Sequence, residues 1–454
     1  MRKLIVVGLV QVLLVLGGCG GGGSGSIASK STGTGGGGTG TGTGSGANVV
    51  TMMVDAGPNT SSPDADTPFI TVTVCAPGST TNCTQIPNVE VDTGSFGLRI
   101  ISSALSSGVA AGLTQEMAAD SQPLVECTQF VDGVSWGPVK LADVQIGGES
   151  ASSIPIQVIG DSSFESEIPS GCLSNGNPED TVAQFGANGI IGVGPFASDC
   201  GSGCQLSNAG YAQDPTYYAC PAGGTSGSDC AATGATTDQQ VTNPVAEFTS
   251  TGDDNGVIVE LPSIADPDGT TTATGSLVFG IGTESNNALG SATVLTGDDF
   301  GDITTEYDGQ SLPYSYLDTG SNGYYFDAAN TSSIPDCTSS GGSGSGSGFT
   351  SSWLCPTTEQ TISLTNMGVN GASSTVSIHI YNADTLFDED NGTYTAFDDL
   401  GADTGSQSTF CSQNYQVSGD CYFDQGLPFF FGRSVYVAIA GANTPGGEGP
   451  YFAY

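Results

Sequence analysis

The chain of 454 residues combines 46 Asp and Glu with six Lys and Arg, which gives a formal net charge of −40. A polyanion with so few cationic side chains cannot neutralise phosphates, so this composition excludes nucleic-acid binding. The single histidine, His379, excludes His-based metal clusters and leaves any Ser-His-Asp mechanism dependent on that one residue. Hydrophobic residues make up 37% of the chain, which is enough for a folded core of two or three domains.

Residues 1–19 have the pattern of an export signal. Two cationic residues precede a run of thirteen mostly apolar residues, Leu4 to Leu16, which is too short to span a bilayer. The run ends in Leu-Gly-Gly-Cys, which resembles a bacterial lipobox. The sequence therefore predicts that Cys19 is lipidated, with palmitate among its acyl chains. The alternative is an ordinary signal peptide with an incidental cysteine.

Residues 20–48 consist almost wholly of Gly, Ser and Thr. Such a segment cannot bury apolar surface and behaves as a flexible coil. We predict a linker that holds the globular body away from a membrane of the bacterial cell envelope. Because Gly20 and not Asp follows the cysteine, we expect the outer membrane, with either the periplasmic or the surface face possible.

The cysteines predict a disulfide framework. Without Cys19, twelve cysteines remain, and an even number in an exported chain favours pairing. Proximity along the sequence predicts the pairs Cys75–Cys83, Cys337–Cys355 and Cys411–Cys421, with Cys127–Cys172 as a further candidate. Four more, in an insertion at about 197–240, can pair in three ways: Cys200, Cys204, Cys220 and Cys230. A metal site at these four is the less favoured alternative.

The body of the chain is predicted to be mainly β. Short apolar or β-branched runs alternate with turns rich in Gly, Asp, Asn, Ser and Pro. The predicted strands are Phe69–Val74, Asn88–Val91, Val139–Ile146, Ile154–Ile159, Gly256–Leu261, Ser276–Phe279, Thr361–Leu364, Thr375–Tyr381 and Ser434–Ile439. A helical period is present at Gly108–Ala119, which we predict as a short helix.

One motif occurs twice in matched context: a strand that ends in Asp-Thr-Gly-Ser, at residues 92–95 and 318–321. Downstream of each copy lies an apolar run that ends in Gly. These runs end at Ile190-Ile191-Gly192 in the first half and at Phe430-Phe431-Gly432 in the second. A third copy, at 403–406, lies among small and polar residues, and we interpret it as a surface loop outside the site.

If the two turns meet across a pseudo-twofold axis, Asp92 and Asp318 form a carboxyl pair. Two carboxyls this close together cannot both ionise without a large electrostatic cost. The pair therefore shares one proton and titrates as a unit. One carboxylate can then act as general base on a water while the other, protonated, polarises an amide carbonyl. The motif glycines allow close backbone approach, and the hydroxyls can hold the carboxylates in one plane. These supporting residues are Thr93, Gly94, Ser95, Thr319, Gly320 and Ser321.

These residues resemble the pepsin-like aspartic peptidases, discontinuously from about residue 68 to 440. The resemblance also includes four further segments: 143–148, 187–194, 275–280 and 430–436. It implies a bilobal, mainly β fold with pseudo-twofold symmetry, catalytic Asp92 and Asp318, and no metal or cofactor. The lobes would be residues 49–272 and 273–454. The chain also resembles an uncharacterised family of bacterial lipoproteins with this layout.

The chain departs from that family at the flap, the hairpin at about residues 129–137 that covers the cleft. The position that the family usually fills with Tyr is Phe130, and the Trp that hydrogen-bonds this Tyr is replaced by Arg99. Loss of both together leaves no polar group unsatisfied. We predict that Trp136 closes the cleft instead, in a flap that also contains Gly133. We also interpret Arg99 and Arg433, each just past a motif, as charge partners for buried acids.

The sequence thus predicts an aspartic endopeptidase that binds an extended polypeptide between its lobes. We expect a monomer, and the depletion of Lys and Arg favours work at mildly acid pH. Two alternatives stay open. One is a catalytically silent pepsin-like module that binds a protein or glycan partner in the same cleft. The other is a structural or adhesive envelope lipoprotein. A nucleophilic Ser95 or Ser321 would need His379 within reach and is the least favoured reading.

Overall fold

The computed structural model describes residues 46–58, 64–130, 133–205, 216–265, 269–328, 334–337, 352–388, 392–404 and 421–454. The predicted export signal with Cys19, most of the predicted linker and Cys411 lie outside these ranges. In the described ranges no helix is both long and apolar enough to cross a membrane.

Strands dominate the described chain. The first twelve are β1 (Val49–Val54), β2 (Pro68–Cys75), β3 (Cys83–Asp92), β4 (Phe96–Ile101), β5 (Thr114–Gln115), β6 (Leu124–Gln129), β7 (Val134–Ile146), β8 (Glu149–Ile159), β9 (Gly189–Val193), β10 (Tyr217–Ala219), β11 (Ala231–Ala232) and β12 (Gly256–Glu260). The others are β13 (Ala273–Phe279), β14 (Val294–Thr296), β15 (Ile303–Tyr307), β16 (Gln310–Leu317), β17 (Tyr324–Phe326), β18 (Ser352–Trp353), β19 (Gln360–Met367), β20 (Ser373–Ile380), β21 (Gly401–Asp403), β22 (Asp424–Gln425), β23 (Ser434–Ala438), β24 (Asn443–Thr444), β25 (Gly447–Glu448) and β26 (Tyr451–Ala453). Each predicted strand overlaps one of these and extends past it by at most one residue, but β3, β7 and β8 each begin five residues before the predicted start.

Helices are short. The α-helices are Ser107–Gly112, Val182–Phe185 and Ala383–Asp388, and the 3₁₀ segments are Ser102–Ala104, Glu165–Glu167, Cys172–Asn175, Gly201–Cys204, Gly227–Asp229, Pro244–Glu247 and Leu427–Phe430. The helix predicted up to Ala119 ends at Gly112. Its end is set by pairing, because Leu113 is extended and Thr114 then joins Leu141 in the β5–β7 ladder.

Two main sheets give the molecule two lobes. Sixteen strands form one sheet in the order β11-β10-β6-β7-β8-β4-β9-β3-β2-β1-β13-β12-β23-β26-β14, with β5 paired to β7. The second sheet has eight strands in the order β18-β21-β17-β22-β16-β15-β19-β20. Strands β1, β13, β12, β23, β26 and β14 lie side by side, each antiparallel to its neighbours. They come from the start, middle and end of the described chain. The predicted lobe boundary at residue 272 falls inside this shared sheet, between β12 and β13, and the lobe limits stay a prediction.

The two lobes repeat one four-strand unit. In the first, β9 lies parallel to β3 and antiparallel to β4, while β8 lies parallel to β4. In the second, β22 lies parallel to β16 and antiparallel to β17, while β21 lies parallel to β17. The fold is therefore mainly β and bilobal with pseudo-twofold symmetry, as the sequence predicted.

The register of these units corrects one prediction. Asp92 pairs with Gly192, and Leu317 pairs with Gln425, which places Asp318 opposite Gly426. The glycine that corresponds to Gly192 is therefore Gly426, and the predicted Gly432 follows a 3₁₀ turn outside the unit. The apolar residues preceding Gly192 have polar counterparts in the second lobe: Asp424 stands for Ile190 and Gln425 for Ile191.

The disulfides follow the predicted framework. The pairs Cys75–Cys83, Cys127–Cys172 and Cys337–Cys355 form as predicted. The insertion, described at 197–205 and 216–240, resolves its three possible pairings as Cys200–Cys204 and Cys220–Cys230. Cys421 is also disulfide-bonded, and its predicted partner lies outside the described residues.

Candidate active site

The two Asp-Thr-Gly-Ser turns stand at the ends of matching strands. Asp92 is the last residue of β3, and Asp318 directly follows β16. Each carboxyl accepts a hydrogen bond from the backbone two residues on: Gly94 N donates to Asp92 Oδ1 at 2.7 Å and Gly320 N to Asp318 Oδ1 at 2.8 Å. Both aspartates are 0% exposed. The turns therefore hold two buried carboxyls by equivalent bonds.

Four hydrogen bonds between Thr93 and Thr319 and the opposite strands lock the turns together. Thr93 Oγ1 donates to Leu317 O at 2.8 Å and accepts from Thr319 N at 3.0 Å. Thr319 Oγ1 donates to Val91 O at 2.6 Å and accepts from Thr93 N at 3.1 Å. The prediction that these hydroxyls bind the carboxylates was wrong, since they bind backbone of the other lobe. Their role is to fix one turn against the other.

The glycines show how close the carboxyls are to the facing turns. A Cβ on Gly94 would lie 2.5 Å from Cγ of Asp318, and one on Gly320 would lie 2.7 Å from Cγ of Asp92. Contacts this short do not occur with real side chains, so each carboxyl occupies the space that the opposite glycine leaves free. The structure therefore brings the two predicted aspartates together at the pseudo-twofold axis.

The two motif serines differ in their partners. Ser321 Oγ lies 3.0 Å from Asp318 Oδ2 and 2.5 Å from Asp424 Oδ2. Ser95 lies close enough to Asp92 to lower the pKa of that carboxyl, but its hydroxyl does not reach the geometry of a hydrogen bond in the described structure. The site is therefore asymmetric at this pair.

The protonation of the pair is asymmetric as well. Burial raises the pKa of Asp318 well above its usual range, and the negative charges of Asp92 and Asp424 raise it further. Burial also raises the pKa of Asp92, against the opposing effects of the Asp318 carboxyl, Ser95 and the Gly94 amide. Both carboxyls therefore have a raised pKa, and the direction of these effects favours Asp318 as the holder of the proton that the pair retains.

Asp424 is a third carboxyl at this site, and the sequence pattern did not predict it. It lies on β22 beside Tyr316, is 0% exposed and contacts Ser321. Burial raises its pKa well above the usual range, opposed by the Ser321 hydrogen bond and reinforced by the charge of Asp92. The signal in the sequence was Gly426, which directly follows β22 and is the downstream glycine of the second motif.

The predicted flap is a hairpin of β6 and β7, but its residues face inward. Phe130 closes the turn by donating its N–H to Gly133 O at 2.8 Å, and its ring packs edge-on against Phe185. Trp136 is 1% exposed, packs on Tyr218 and donates its indole N–H to Phe164 O at 3.0 Å. The prediction that Trp136 closes the cleft was therefore wrong, because the ring is a core side chain beneath the insertion.

Arg433, predicted as a partner of buried acids, donates instead to the backbone carbonyls of Phe429 and Phe431. Arg99, for which the same role was predicted, does form a buried ionic cluster, which includes Glu126 of the flap strand. Its guanidinium donates to Glu126 and to Asp199, each at 2.7 Å, and to Thr128 at 2.8 Å. Burial would lower the pKa of Arg99, but Glu126 and Asp199 outweigh it and raise the pKa. Burial raises the pKa of Glu126 to about 8, with Arg99 acting against the shift and Asp199 adding to it.

The third Asp-Thr-Gly-Ser copy was predicted to be a surface loop, and its first residue corrects this. Asp403 ends β21, is 5% exposed and accepts a hydrogen bond from Ala328 N at 2.8 Å. The last two residues of the motif, 405 and 406, lie outside the described residues. Pairing with Phe326 on β17 gives Asp403 a structural position in the second lobe.

His379 lies on β20, on the hairpin that it forms with β19. Its side chain is 38% exposed, and its Nδ1 contacts the Glu359 carboxylate. Ser321 meanwhile contacts two carboxyls, so the geometry does not assemble a Ser-His pair. Among the described residues, the one group with metal-like spacing is Cys337, Cys355 and Asp384, whose two sulfurs are already bonded to each other.

The duplicated strand unit, with one Asp turn in each lobe, defines a bilobal pepsin-like fold. A family model described as "Protein of unknown function (DUF3443)" matches residues 44–454, and the chain belongs to that family. A search of the curated proteins found no match. Among solved structures, the chain is similar to an aspartic proteinase from Irpex lacteus, with a TM-score of 0.49 and 14% identity over 89% of this chain and 96% of that chain.

Proposed function

We propose that this protein is an aspartic-type endopeptidase. The observation that carries the proposal is the facing of Asp92 and Asp318, each packed against the glycine of the opposite turn. Their burial and mutual repulsion raise the pKa of the pair, so one proton is retained well above the usual range for carboxyls. A retained proton beside a carboxylate is what acid–base hydrolysis of an amide by water requires.

In the proposed mechanism Asp92 is the general base and Asp318 the general acid. Asp92 takes a proton from a water whose oxygen attacks the amide carbon, while Asp318 gives its proton to the carbonyl oxygen. The diol then collapses: the C–N bond breaks, the nitrogen takes the proton held by Asp92, and Asp318 regains a proton from a diol hydroxyl. The bound segment is an extended polypeptide, and the cycle uses no covalent intermediate, metal or cofactor.

Hydrolysis of a denatured protein by the purified chain between about pH 3 and pH 7 tests this function. We expect cleavage that a pepstatin-type inhibitor blocks, and a loss of about 10³-fold or more in Asp92→Asn and in Asp318→Asn. Asp403→Asn is the matched control, because it alters the third motif copy outside the pair, and it should keep the rate within about twofold. Equal rates in all variants would show that the cleavage comes from elsewhere.

A catalytically silent pepsin-like module is the second candidate, and two observations favour it. Asp92 and Asp318 are both 0% exposed, and the flap strand β6 is tied down by the Cys127–Cys172 disulfide. Since we place this hairpin over the cleft, as predicted for the flap, substrate would have to displace it. Calorimetric binding of pepstatin or of a denatured protein, without cleavage by the wild-type chain at any pH, would establish the silent module.

We also propose that the protein is a lipoprotein monomer of the bacterial cell envelope. The support is the lipobox-like sequence at Cys19 and the Gly/Ser/Thr-rich segment 20–48. The five disulfides that lie wholly within the described residues add to it, because oxidising compartments permit such bonds. Metabolic labelling with a palmitate analogue should mark the wild-type chain, and Cys19→Ser should abolish the label. Cell fractionation then gives the membrane and its face.

A further inference from the structure

Asp424 is a buried acid that the proposed mechanism leaves without a role. The equivalent position in the first lobe is Ile190, which packs in an apolar cluster with Phe130 and Phe185. The same strand position thus accepts an aliphatic side chain in one lobe and a carboxyl in the other. The fold itself therefore does not require a carboxyl at this position. Because burial of a carboxyl costs free energy of folding, its presence calls for a role.

Ser321 connects Asp424 to Asp318 through a single hydroxyl. Its Oγ lies within hydrogen-bond distance of Oδ2 of both carboxyls, at 3.0 Å for Asp318 and 2.5 Å for Asp424. A serine hydroxyl carries one proton, so it can donate to one of these oxygens and must accept from the other. One of the two carboxyls must therefore be protonated and must donate that proton to Ser321.

Two features of the immediate surroundings, and the position of the cations described next, indicate that Asp424 is the carboxyl that donates to Ser321. Asp424 Oδ1 has no hydrogen-bond partner among the described residues, so an ionised form would leave a buried negative oxygen unsatisfied. The titratable groups that interact with it are the acids Asp92 and Asp318 and the phenol of Tyr316. None of these supplies positive charge.

The cations of the described chain are engaged elsewhere. Arg99 binds Glu126 and Asp199, Lys140 binds Asp161, and Arg433 donates to backbone carbonyls and lies over the Phe429 ring. A neutral Asp424 is therefore the form that this environment stabilises.

We propose that Asp424 is a positioning residue of the site. As a neutral acid it donates a hydrogen bond to Ser321, and Ser321 in turn donates its own proton to Asp318. The proton of Asp318 then stays directed at Asp92 and the substrate. Were Asp424 ionised, the Ser321 hydroxyl would turn to it. Asp318 would then donate its own proton to Ser321, and the acid would be misdirected. This inference rests on the proposed peptidase function and assigns the alkaline limit of activity to Asp424.

Two substitutions separate donation from packing. Asp424→Asn keeps an N–H donor for Ser321 and cannot ionise, whereas Asp424→Ile places there the residue of the first lobe, which cannot donate. We expect Asp424→Asn to keep kcat within about threefold at pH 4 and to extend activity upward by about one pH unit or more. Asp424→Ile should lower kcat about tenfold or more with KM nearly unchanged.

Equal kcat and an equal alkaline limb in wild type and both variants would overturn the proposal. So would an Asp424→Asn variant as impaired as Asp424→Ile, because the donor would then be irrelevant. In a Ser321→Ala background the two Asp424 variants should have the same kcat, since the connecting hydroxyl is gone. Denaturant unfolding of each variant shows that a lost rate is not lost folding.

Infrared difference spectroscopy tests the proton itself without any activity. At pH 7 the wild-type chain should show the carbonyl absorption of a protonated carboxyl that is missing from Asp424→Asn. Absence of this difference overturns the proposal even if the protein is a peptidase. Its presence in a chain that cleaves nothing supports the protonated Asp424 and refutes the peptidase function, so the two failures are distinguishable.

Discussion

Arg99 and Tyr325 occupy equivalent positions in the two lobes, seven residues after each motif aspartate. Both are fully buried, and the polar end of each side chain is hydrogen-bonded. Arg99 bonds to Glu126 and Asp199, and Tyr325 bonds to Asn322. A long side chain with a polar end therefore fits this position in either lobe. In the first lobe the polar end is a charge, which makes the position sensitive because a buried charge needs its partners.

Arg99→Met should destabilise the protein strongly. It leaves Glu126 and Asp199 without their shared donor, and removal of one partner of a buried ion pair costs about 3–5 kcal/mol. Lys140→Met is the control, because the pair of Lys140 with Asp161 is partly exposed and should be worth about 1 kcal/mol or less. Urea unfolding at one fixed pH measures both. A loss for Arg99→Met no larger than the control would mean that the cluster adds little.

Thr93→Val and Thr319→Val test the bonds between the turns. Each change removes one donated and one accepted hydrogen bond and leaves buried backbone groups unpaired, so we expect a loss of about 1–3 kcal/mol each. Thr365→Val is a suitable comparison, because its hydroxyl contact with Thr375 is exposed, and it should change stability by about 0.5 kcal/mol or less. Similar losses at all three positions would contradict a special role for the motif threonines.

At the scale of elements, the flap hairpin is anchored on both sides. The insertion adds β10 to the free edge of β6, and the Cys127–Cys172 disulfide ties β6 to a neighbouring 3₁₀ segment. Val134, at the start of β7, bonds the backbone of Asn177 and Glu179. A hairpin held in this way opens only if these links yield, so the opening of the flap depends on the insertion.

Removal of the Cys127–Cys172 disulfide should loosen the flap selectively. In a Cys127→Ala, Cys172→Ala double variant, we expect faster hydrogen exchange at the amides of β6 and of the start of β7, because a link that restrains local opening is lost. The β19–β20 hairpin of the other lobe serves as the internal control. The corresponding change at Cys75 and Cys83, on β2 and β3, should leave flap exchange unaltered. Unchanged exchange in β6 would show that strand pairing alone holds the flap.

The elements also show how far sequence reasoning reaches. Strand runs and Asp turns were predictable because apolar alternation and Gly-containing turns are local signals. The downstream element of the second lobe was misplaced, since Phe430-Phe431-Gly432 has the apolar pattern while the true element, Asp424-Gln425-Gly426, is polar. Gln425 is tolerated because it exchanges two hydrogen bonds with the buried Asn366, and such a long-range partner is invisible in the sequence.

The inward-facing Trp136 was unpredictable for a similar reason. Its side chain is covered by Tyr218 of the insertion, 82 residues further along the chain, and the pairing of β10 with β6 creates that cover. Register and remote contacts decide which face of a hairpin is buried. The sequence pattern alone predicts that side chains alternate between the two faces of the hairpin. It does not predict which part of the chain packs on each face.

At the scale of the whole molecule, the many acidic side chains should make the folded protein more stable at acid pH than at neutral pH. The chain carries a net charge of −40 at neutral pH, and the resulting self-repulsion weakens as carboxylates take up protons. Several acids also have a raised pKa in the folded state, among them Asp92, Asp318 and Asp424. Asp161 acts in the opposite direction: burial raises its pKa, but the hydrogen bond and charge of Lys140 and the hydrogen bonds of Ser163 together outweigh burial and lower it. The change in stability that this group causes falls at pH values below the ordinary 3.8.

The free energy of unfolding should therefore fall as the pH rises from about 4.5 to about 8. Glu126 has an ordinary pKa of 4.5 that is raised to about 8 in the folded chain, so over this range the folded state holds a proton that the unfolded state has released. Unfolding then releases protons and is favoured by rising pH, at about 1.4 kcal/mol per pH unit for each such group. Denaturant unfolding at constant ionic strength at pH 5, 6.5 and 8 measures this slope. Glu126→Gln should make it shallower by one proton, and a stability that is constant or increases over this range would contradict the raised pKa values.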